Sequence, residues 1–205
     1  MKKLMFILAM SFFMVGMVAC DIIEEPYFKD NNGGNNGGGE TPTVQKYVLL
    51  EDYTGVKCVN CPAAGEIALQ LQEQYHHNVI VLGVHAGDLA NFPLFNLKTP
   101  EGDTWWSHFN FQQNPIGTIN RKMINGGYAY DSPMWADAVA EALQEEATFA
   151  MASNVEYDEA TRNLKVDVTS KALVELPDTY SLTVCVMEDS IVGKQLLPTG
   201  DDENY

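Results

Sequence analysis

The most informative segment of the chain runs from Tyr47 to Ala64 and has the sequence YVLLEDYTGVKCVNCPAA. Residues 47–53 are mostly apolar and β-prone, a pattern typical of a strand that is buried on both faces. After a short break comes a Cys-x-x-Cys motif formed by Cys58 and Cys61, and apolar residues then recur with helical spacing. The segment therefore predicts a strand, a cysteine pair and an amphipathic helix, in that order.

The position of the cysteine pair at a strand–helix junction has a chemical consequence. The two thiols stand one helical turn apart, which is close enough for a short disulfide loop. Unpaired amides at the helix N-terminus, together with the cation of Lys57, favour the thiolate of Cys58, and Cys61 is then the resolving partner. Zinc binding is disfavoured because there is no second Cys-x-x-Cys, and haem attachment is disfavoured because Pro62 stands where a histidine would be needed.

A second strand is predicted over Val79–Val84, which gives a right-handed strand–helix–strand unit with parallel strands. Reactive groups gather at the carboxyl ends of such strands. His85 follows directly, so it is a candidate for tuning the ionisation of the cysteine pair, as is Lys57. A histidine that is hydrogen-bonded in a loop is the alternative interpretation of His85.

The remainder of this part of the chain predicts an insertion followed by a hairpin and a helix. Residues 86–113 are rich in aromatic side chains, which form either a partner groove or part of the core. Residues 114–124 are predicted to form a strand introduced by Pro115, and an Asn-Gly pair then indicates a tight turn. A helix is predicted from Ser132.

The first 20 residues have the layout of a secretory signal. Two lysines precede an apolar run that is too short for a comfortable membrane span, and small residues then lead to Cys20 in a pattern that resembles a bacterial lipobox. We favour acylation of Cys20 over an ordinary signal peptide with an incidental cysteine. Residues 21–45 are rich in asparagine and glycine and predict a flexible tether.

The composition excludes one class of function. The 205 residues carry 12 Lys and Arg against 28 Asp and Glu, for a net charge of −16. Nucleic-acid binding depends on clustered basic side chains, so we do not expect a nucleic-acid partner. The hydrophobic share of 46% is sufficient for a real core.

The Cys-x-x-Cys motif after a buried strand, the proline that opens the later hairpin and the closing helix together resemble the thioredoxin fold. That resemblance implies that Pro115 is a cis proline facing the cysteine pair, beside which the backbone of a substrate pairs. It also implies catalytic roles for Cys58, Cys61 and Pro115. Lys57 replaces the usual aromatic residue before the first cysteine and Val59-Asn60 replaces Gly-Pro, which leaves the direction of electron transfer open.

Three segments resemble a narrower family, the outer membrane protein 28 related lipoproteins. They are the lipobox ending at Cys20, residues 53–64, and residues 114–121. The resemblance covers roughly residues 47–205. It implies an outer-membrane lipoprotein of the bacterial cell envelope, on the periplasmic or the surface face.

Three strands are predicted after residue 148, namely Phe149–Tyr157, Leu164–Thr169 and Tyr180–Met187, which would form a small antiparallel, sandwich-like region. The resembling family would continue beyond residue 205, so we expect this region to be incomplete. Cys185 lies on the third predicted strand and is expected to be a packed structural thiol rather than a redox group.

The sequence thus predicts an α/β chain in four parts: a lipoprotein signal (1–20), a tether (21–45), a thioredoxin-like domain with the order βαβ, insertion, ββα (46–147) and a β-rich region (148–205). Two functions remain open. One is thiol–disulfide exchange with protein thiols or disulfides. The other is a non-enzymatic interaction or assembly module with a static disulfide. Both imply a membrane partner reached through acylated Cys20, and neither needs a cofactor or a metal.

Overall fold

The computed structural model describes residues 44–92, 95–124, 126–199 and 202–204. The predicted signal segment with Cys20, and the predicted tether up to residue 43, lie outside these residues. Within the described ranges, no helix is both long and apolar enough to cross a membrane.

A mixed three-stranded sheet with the order β2-β1-β5 forms the base of the α/β region. Strand β1 (Val48–Thr54) runs parallel to β2 (Val79–His85) and antiparallel to β5 (Ile116–Ile119). The first helix, α1 (Cys61–Gln74), connects the two parallel strands. The prediction of a strand–helix–strand unit with parallel strands is confirmed.

Two helices cover one face of this sheet. α3 (Trp135–Gln144) packs beside α1, and the indole Nε1 of Trp135 donates to the carbonyl of Tyr130 at 2.9 Å. The main core consists of buried side chains from the sheet, from both helices and from the loop before α3: Val48, Leu50, Ala64, Ala68, Leu71, Val79, Ile119, Tyr130, Trp135, Val139 and Ala142. Most members of this cluster are the apolar residues that recur with helical or strand spacing in the sequence.

Most aromatic residues of the predicted insertion belong to a second core cluster rather than to an open groove. The ring of Tyr53 on β1 lies 4.8 Å from that of Phe111, which is buried, and Trp106 lies 5.8 Å from Phe111. Trp106 belongs to α2 (Pro100–His108), whose N-terminus is capped by the hydroxyl of Thr99 accepting from the amide of Gly102 at 3.0 Å. Of the two interpretations of this insertion, the core is the one the structure supports for these residues.

A buried ion pair links the sheet to the loop after β5. The carboxylate of Glu51 is fully buried and accepts hydrogen bonds from the hydroxyl of Thr118 at 2.7 Å and from Nε of Arg121 at 2.9 and 3.0 Å. The guanidinium of Arg121 also lies 4.4 Å from the ring centre of Trp105. A buried charge is tolerated only when it is paired in this way.

The strand after Pro115 is shorter than predicted. β5 ends at Ile119 because Asn120 and Arg121 adopt positive φ angles of 51° and 50°, which belong to the left-handed region and not to a strand. The second strand of the predicted hairpin, expected over Tyr128–Tyr130, is reduced to a single bridge between Gly117 and Tyr130. Ser132 lies in a short 3₁₀ turn, so α3 begins at Trp135.

The C-terminal part contains an antiparallel hairpin of β6 (Phe149–Asp158) and β7 (Asn163–Ala172), as predicted. The third predicted strand, Tyr180–Met187, is wrong: within the described ranges these residues form no ladder. Their alternation suits a strand, but a strand also needs a neighbouring backbone and a covered apolar face, and Val186 is 79% exposed. The remaining strands are short pairs: β3 (Asn91–Phe92) with β4 (Phe95–Asn96), and β8 (Lys194–Leu196) with β9 (Asp202–Asn204).

Candidate functional site

The cysteine pair lies where β1 turns into α1. The amide of Cys58 donates to the carbonyl of Gly55 at 2.9 Å, and the amide of Cys61 donates to the carbonyl of Cys58 at 3.1 Å, which winds the loop into a tight turn. The Sγ atoms of Cys58 and Cys61 are 2.15 Å apart and their Cα atoms 5.3 Å apart. The pair is therefore at disulfide-bonding distance.

The helix end beside this pair is electropositive. Cys61 is the first residue of α1 and Pro62 the second, and no side-chain acceptor from Asn60 caps the first turn. The dipole of α1 therefore acts on the adjacent sulfur atoms. A helix N-terminus in general favours the thiolate of a reduced cysteine over its thiol.

Two candidate tuning residues occupy different places around the loop. Lys57 directly precedes Cys58, is half-buried, and donates its amide to the carbonyl of Leu89 at 2.9 Å. His85 ends β2 opposite Thr54 of β1, so it lies at the sheet edge from which the cysteine loop departs. Its Nδ1 is buried without a hydrogen-bond partner among the described residues, and burial lowers the pKa of His85.

Pro115 reaches the same edge of the sheet. It precedes β5, whose Ile116 pairs with Tyr53 near the end of β1, and the Asn114–Pro115 peptide bond is cis. The side chain of Asn114 donates to the carbonyl of Tyr53 at 3.0 Å and to that of Ala86 at 3.3 Å. Asn114 thereby ties the segment before Pro115 to the ends of both parallel strands.

Asp52 is an ionisable residue that the sequence analysis did not single out. Side chains alternate along a strand, so Asp52 shares a face with Val48 and Leu50, the face that α1 covers. Asp52 is 5% exposed, its Oδ1 has no hydrogen-bond partner within the described chain, and burial raises the pKa of Asp52 to about 7. Because α1 begins above the carboxyl end of β1, Asp52 lies toward the cysteine end of that face.

A segment distant in sequence forms hydrogen bonds with the cysteine loop. Gln195 in β8 donates its side-chain amide to the carbonyl of Cys58 at 2.9 Å, and the amide of Leu196 donates to the carbonyl of Val56 at 2.8 Å. Cys58 is 2% exposed and Cys61 is 3% exposed. The sequence carries no local signal of this contact, because the partners are 137 positions apart.

The remaining described cysteine is placed differently from our expectation. Cys185 is a free thiol that is exposed, so the prediction of a packed structural thiol is wrong. The strand that was to bury it does not form. Among the residues that the structure describes, no three His, Cys, Asp or Glu side chains are grouped closely enough to hold a metal ion.

Comparisons with known proteins give little further information. No family model matches the chain, and no curated protein matches it. Among solved structures, the chain is similar to the X-ray crystal structure of an Agrobacterium tumefaciens protein solved as a structural genomics target. The two share 16% sequence identity over 65% of this chain and 75% of that chain, with a TM-score of 0.40. A similarity this low establishes neither fold family nor function.

Proposed function

We propose that the chain is a thioredoxin-like protein that carries out thiol–disulfide exchange through Cys58 and Cys61. The observation that carries the proposal is the position of the pair: Cys58 ends the turn after a buried strand, and Cys61 opens α1. A static crosslink needs no helix N-terminus beside it, whereas a reactive thiolate is stabilised there. The sheet order and the placement of Pro115 beside the end of β1 also suit a thioredoxin-like arrangement.

In the proposed exchange, the reduced Cys58–Cys61 pair is the electron donor. The thiolate of Cys58 attacks one sulfur of a client disulfide, the client S–S bond breaks, and the other client sulfur leaves as a thiolate. Cys61 then loses its proton and attacks Sγ of Cys58. The Cys58–Cys61 bond forms, the second client thiolate leaves, and two electrons have passed to the client. Run backwards, the same steps oxidise a client dithiol.

Asp52 is the proposed proton acceptor for Cys61. Its carboxyl is on the face beneath α1, and its pKa of about 7 allows it to take up and release a proton near neutral pH. An ordinary carboxyl with a pKa near 3.8 would be a much weaker base. Lys57 and His85 contribute to the electrostatics of the same sheet edge.

We further propose that the protein is anchored in the bacterial envelope through acylated Cys20, as a member of the outer membrane protein 28 related lipoproteins. The support is the sequence pattern of the first 20 residues. Cys20→Ala should move the protein from the membrane fraction into the soluble fraction. If the variant stays with the membranes, the lipid attachment is wrong.

A second function has an observation in its favour. Both sulfur-bearing residues are nearly inaccessible, at 2% and 3% exposure, as expected for a structural disulfide in an interaction or assembly module. In that case the pair would stay oxidised and no client would form a covalent bond with it.

Trapping of mixed disulfides separates these functions. Cys185→Ala should be the background, because the exposed Cys185 thiol could form disulfides of its own. In that background, Cys61→Ala leaves Cys58 without its resolving partner, so covalent client complexes that dissociate with dithiothreitol should accumulate in cells. The matched control is Cys58→Ala with Cys61→Ala. Equal yields from both variants would rule out exchange through Cys58.

A further inference from the structure

The segment that contacts the cysteine loop is the short strand β8, which also pairs with β9. Two hydrogen bonds join β8 to the cysteine loop, one from the Leu196 amide to the Val56 carbonyl and one from the Gln195 side chain to the Cys58 carbonyl. Gln195 is 8% exposed, and its Nε2 also donates to the carbonyl of Leu196 at 3.1 Å. β8 itself has three residues, and Lys194 within it is exposed.

This arrangement conflicts with a reaction at Cys58. A thiolate must approach the disulfide sulfur to attack it, and attack rates depend on access to that sulfur. With Cys58 only 2% exposed, an external thiolate has no such access in this conformation. Short segments with few buried contacts open locally at much lower cost than the whole fold.

The contact made by Leu196 has the form of strand addition. Its amide pairs with the carbonyl of Val56 in the cysteine loop, as an extended peptide pairs with a backbone edge. An extended client segment could offer the same amide to Val56 and bring its own sulfur to Cys58. A compact folded protein surface could not.

We propose that β8 is a removable cover that occupies the position where a client binds. The proposed clients are extended polypeptide segments that carry a thiol or a disulfide. The inference rests on the proposed exchange function for its client class. The proposed cover concerns only the access of a thiolate to Cys58, so it can be tested without measuring catalysis.

Reduction by glutathione provides the test. A glutathione thiolate attacks Sγ of Cys58, the Cys58–Cys61 bond breaks, and Cys61 leaves as a thiolate and takes up a proton. A second glutathione thiolate attacks the glutathione sulfur of the mixed disulfide and releases Cys58. Two glutathione molecules become one oxidised glutathione, and the pair gains two electrons and two protons.

The experiment measures the initial reduction rate in the Cys185→Ala background. Leu196→Pro removes the amide donor, and Gln195→Glu keeps the size of the side chain but removes its donor. Each should raise the rate about tenfold, which corresponds to one lost hydrogen bond of ordinary strength. Gln74→Ala, an exposed glutamine at the opposite end of α1, should leave the rate unchanged.

Folding is checked by the near-ultraviolet signal of the buried Trp135. If Leu196→Pro loses that signal, Gln195→Glu decides alone. If glutathione reduces the β8 variants no faster than Gln74→Ala, the proposal that β8 is a cover is overturned. A faster rate for the β8 variants, combined with no trapped clients in Cys61→Ala, would support the cover and overturn the exchange function. The two proposals therefore fail separately.

Discussion

The α/β core and the β6–β7 hairpin contain similar strand patterns, yet they bury them very differently. Leu50 and Tyr53 of β1 are fully buried, whereas Leu164 and Tyr157 of the hairpin are 46% and 60% exposed. In the core, α1 and α3 cover one face of the sheet. Alternation of apolar residues therefore predicts a strand in both regions, but the strand stabilises the fold only where another layer covers its apolar face.

The largest difference is expected between the charge pairs of the two regions. Arg121→Ala leaves the fully buried Glu51 without its cation and should cost about 3–5 kcal/mol. Lys165→Ala removes an exposed hairpin pair with Asp167 and should have no measurable effect. Unfolding in urea measures both. Similar losses from the two variants would show that the hairpin is as well packed as the core.

Truncation of one leucine in each region tests the same difference in burial. Leu50→Ala should lower the free energy of unfolding by about 2–5 kcal/mol, because it leaves a cavity in the main core. Leu164→Ala should lower it by less than about 0.5 kcal/mol, since that side chain is already solvated. A large effect at Leu164 would mean that another molecule or segment covers the hairpin in solution.

Burial of Asp52 predicts that the stability of the fold depends on pH. The folded pKa of about 7 is above the ordinary 3.8, so the folded chain holds a proton that the unfolded chain has released. Stability should therefore fall by about 1.4 kcal/mol per pH unit between pH 4 and pH 7, and then level off.

Asp52→Asn should not show this fall in stability. The free energy of unfolding of the variant minus that of the original protein should therefore increase between about pH 4 and pH 7. The opposing effect of His85, whose burial destabilises the fold at lower pH, is common to both proteins and cancels. Parallel profiles for Asp52→Asn and the original protein would contradict the burial of this carboxyl.

Two glycines that flank Asp52 give the smallest predicted difference. A Cβ atom at Gly117 would lie 2.7 Å from Nε1 of the buried Trp135, so Gly117→Ala should cost about 1–3 kcal/mol. A Cβ atom at Gly83 would meet nothing within 4 Å in the described chain, and Gly83→Ala should be neutral or slightly stabilising. Thermal unfolding compares them, and equal shifts would contradict this packing.

The sequence predicted those parts of the fold that local patterns determine. The βαβ unit, α3 and the β6–β7 hairpin each follow from apolar periodicity and turn residues. The early end of β5 does not, because the positive φ angles of Asn120 and Arg121 accompany a tertiary contact between Arg121 and Glu51. The missing strand at Tyr180–Met187 failed for the opposite reason: its pattern is right but no neighbour pairs with it in the described chain.

The candidate site was predictable to a similar extent. Cys58 and Cys61 stand out by spacing, and Pro115 through the resemblance to thioredoxin. Asp52 was missed because an acidic residue within a β-prone run gives no sign of its burial. Gln195 could not be foreseen, since its contact with Cys58 depends on how distant parts of the chain meet.

The most direct test of the exchange function is a redox titration of the Cys58–Cys61 pair in Cys185→Ala protein, equilibrated in glutathione or dithiothreitol buffers and quantified by alkylation. A pair that exchanges with clients should have a midpoint between about −270 and −120 mV, the range of known exchange proteins. A midpoint below about −300 mV would contradict the exchange function and would identify the pair as a structural disulfide.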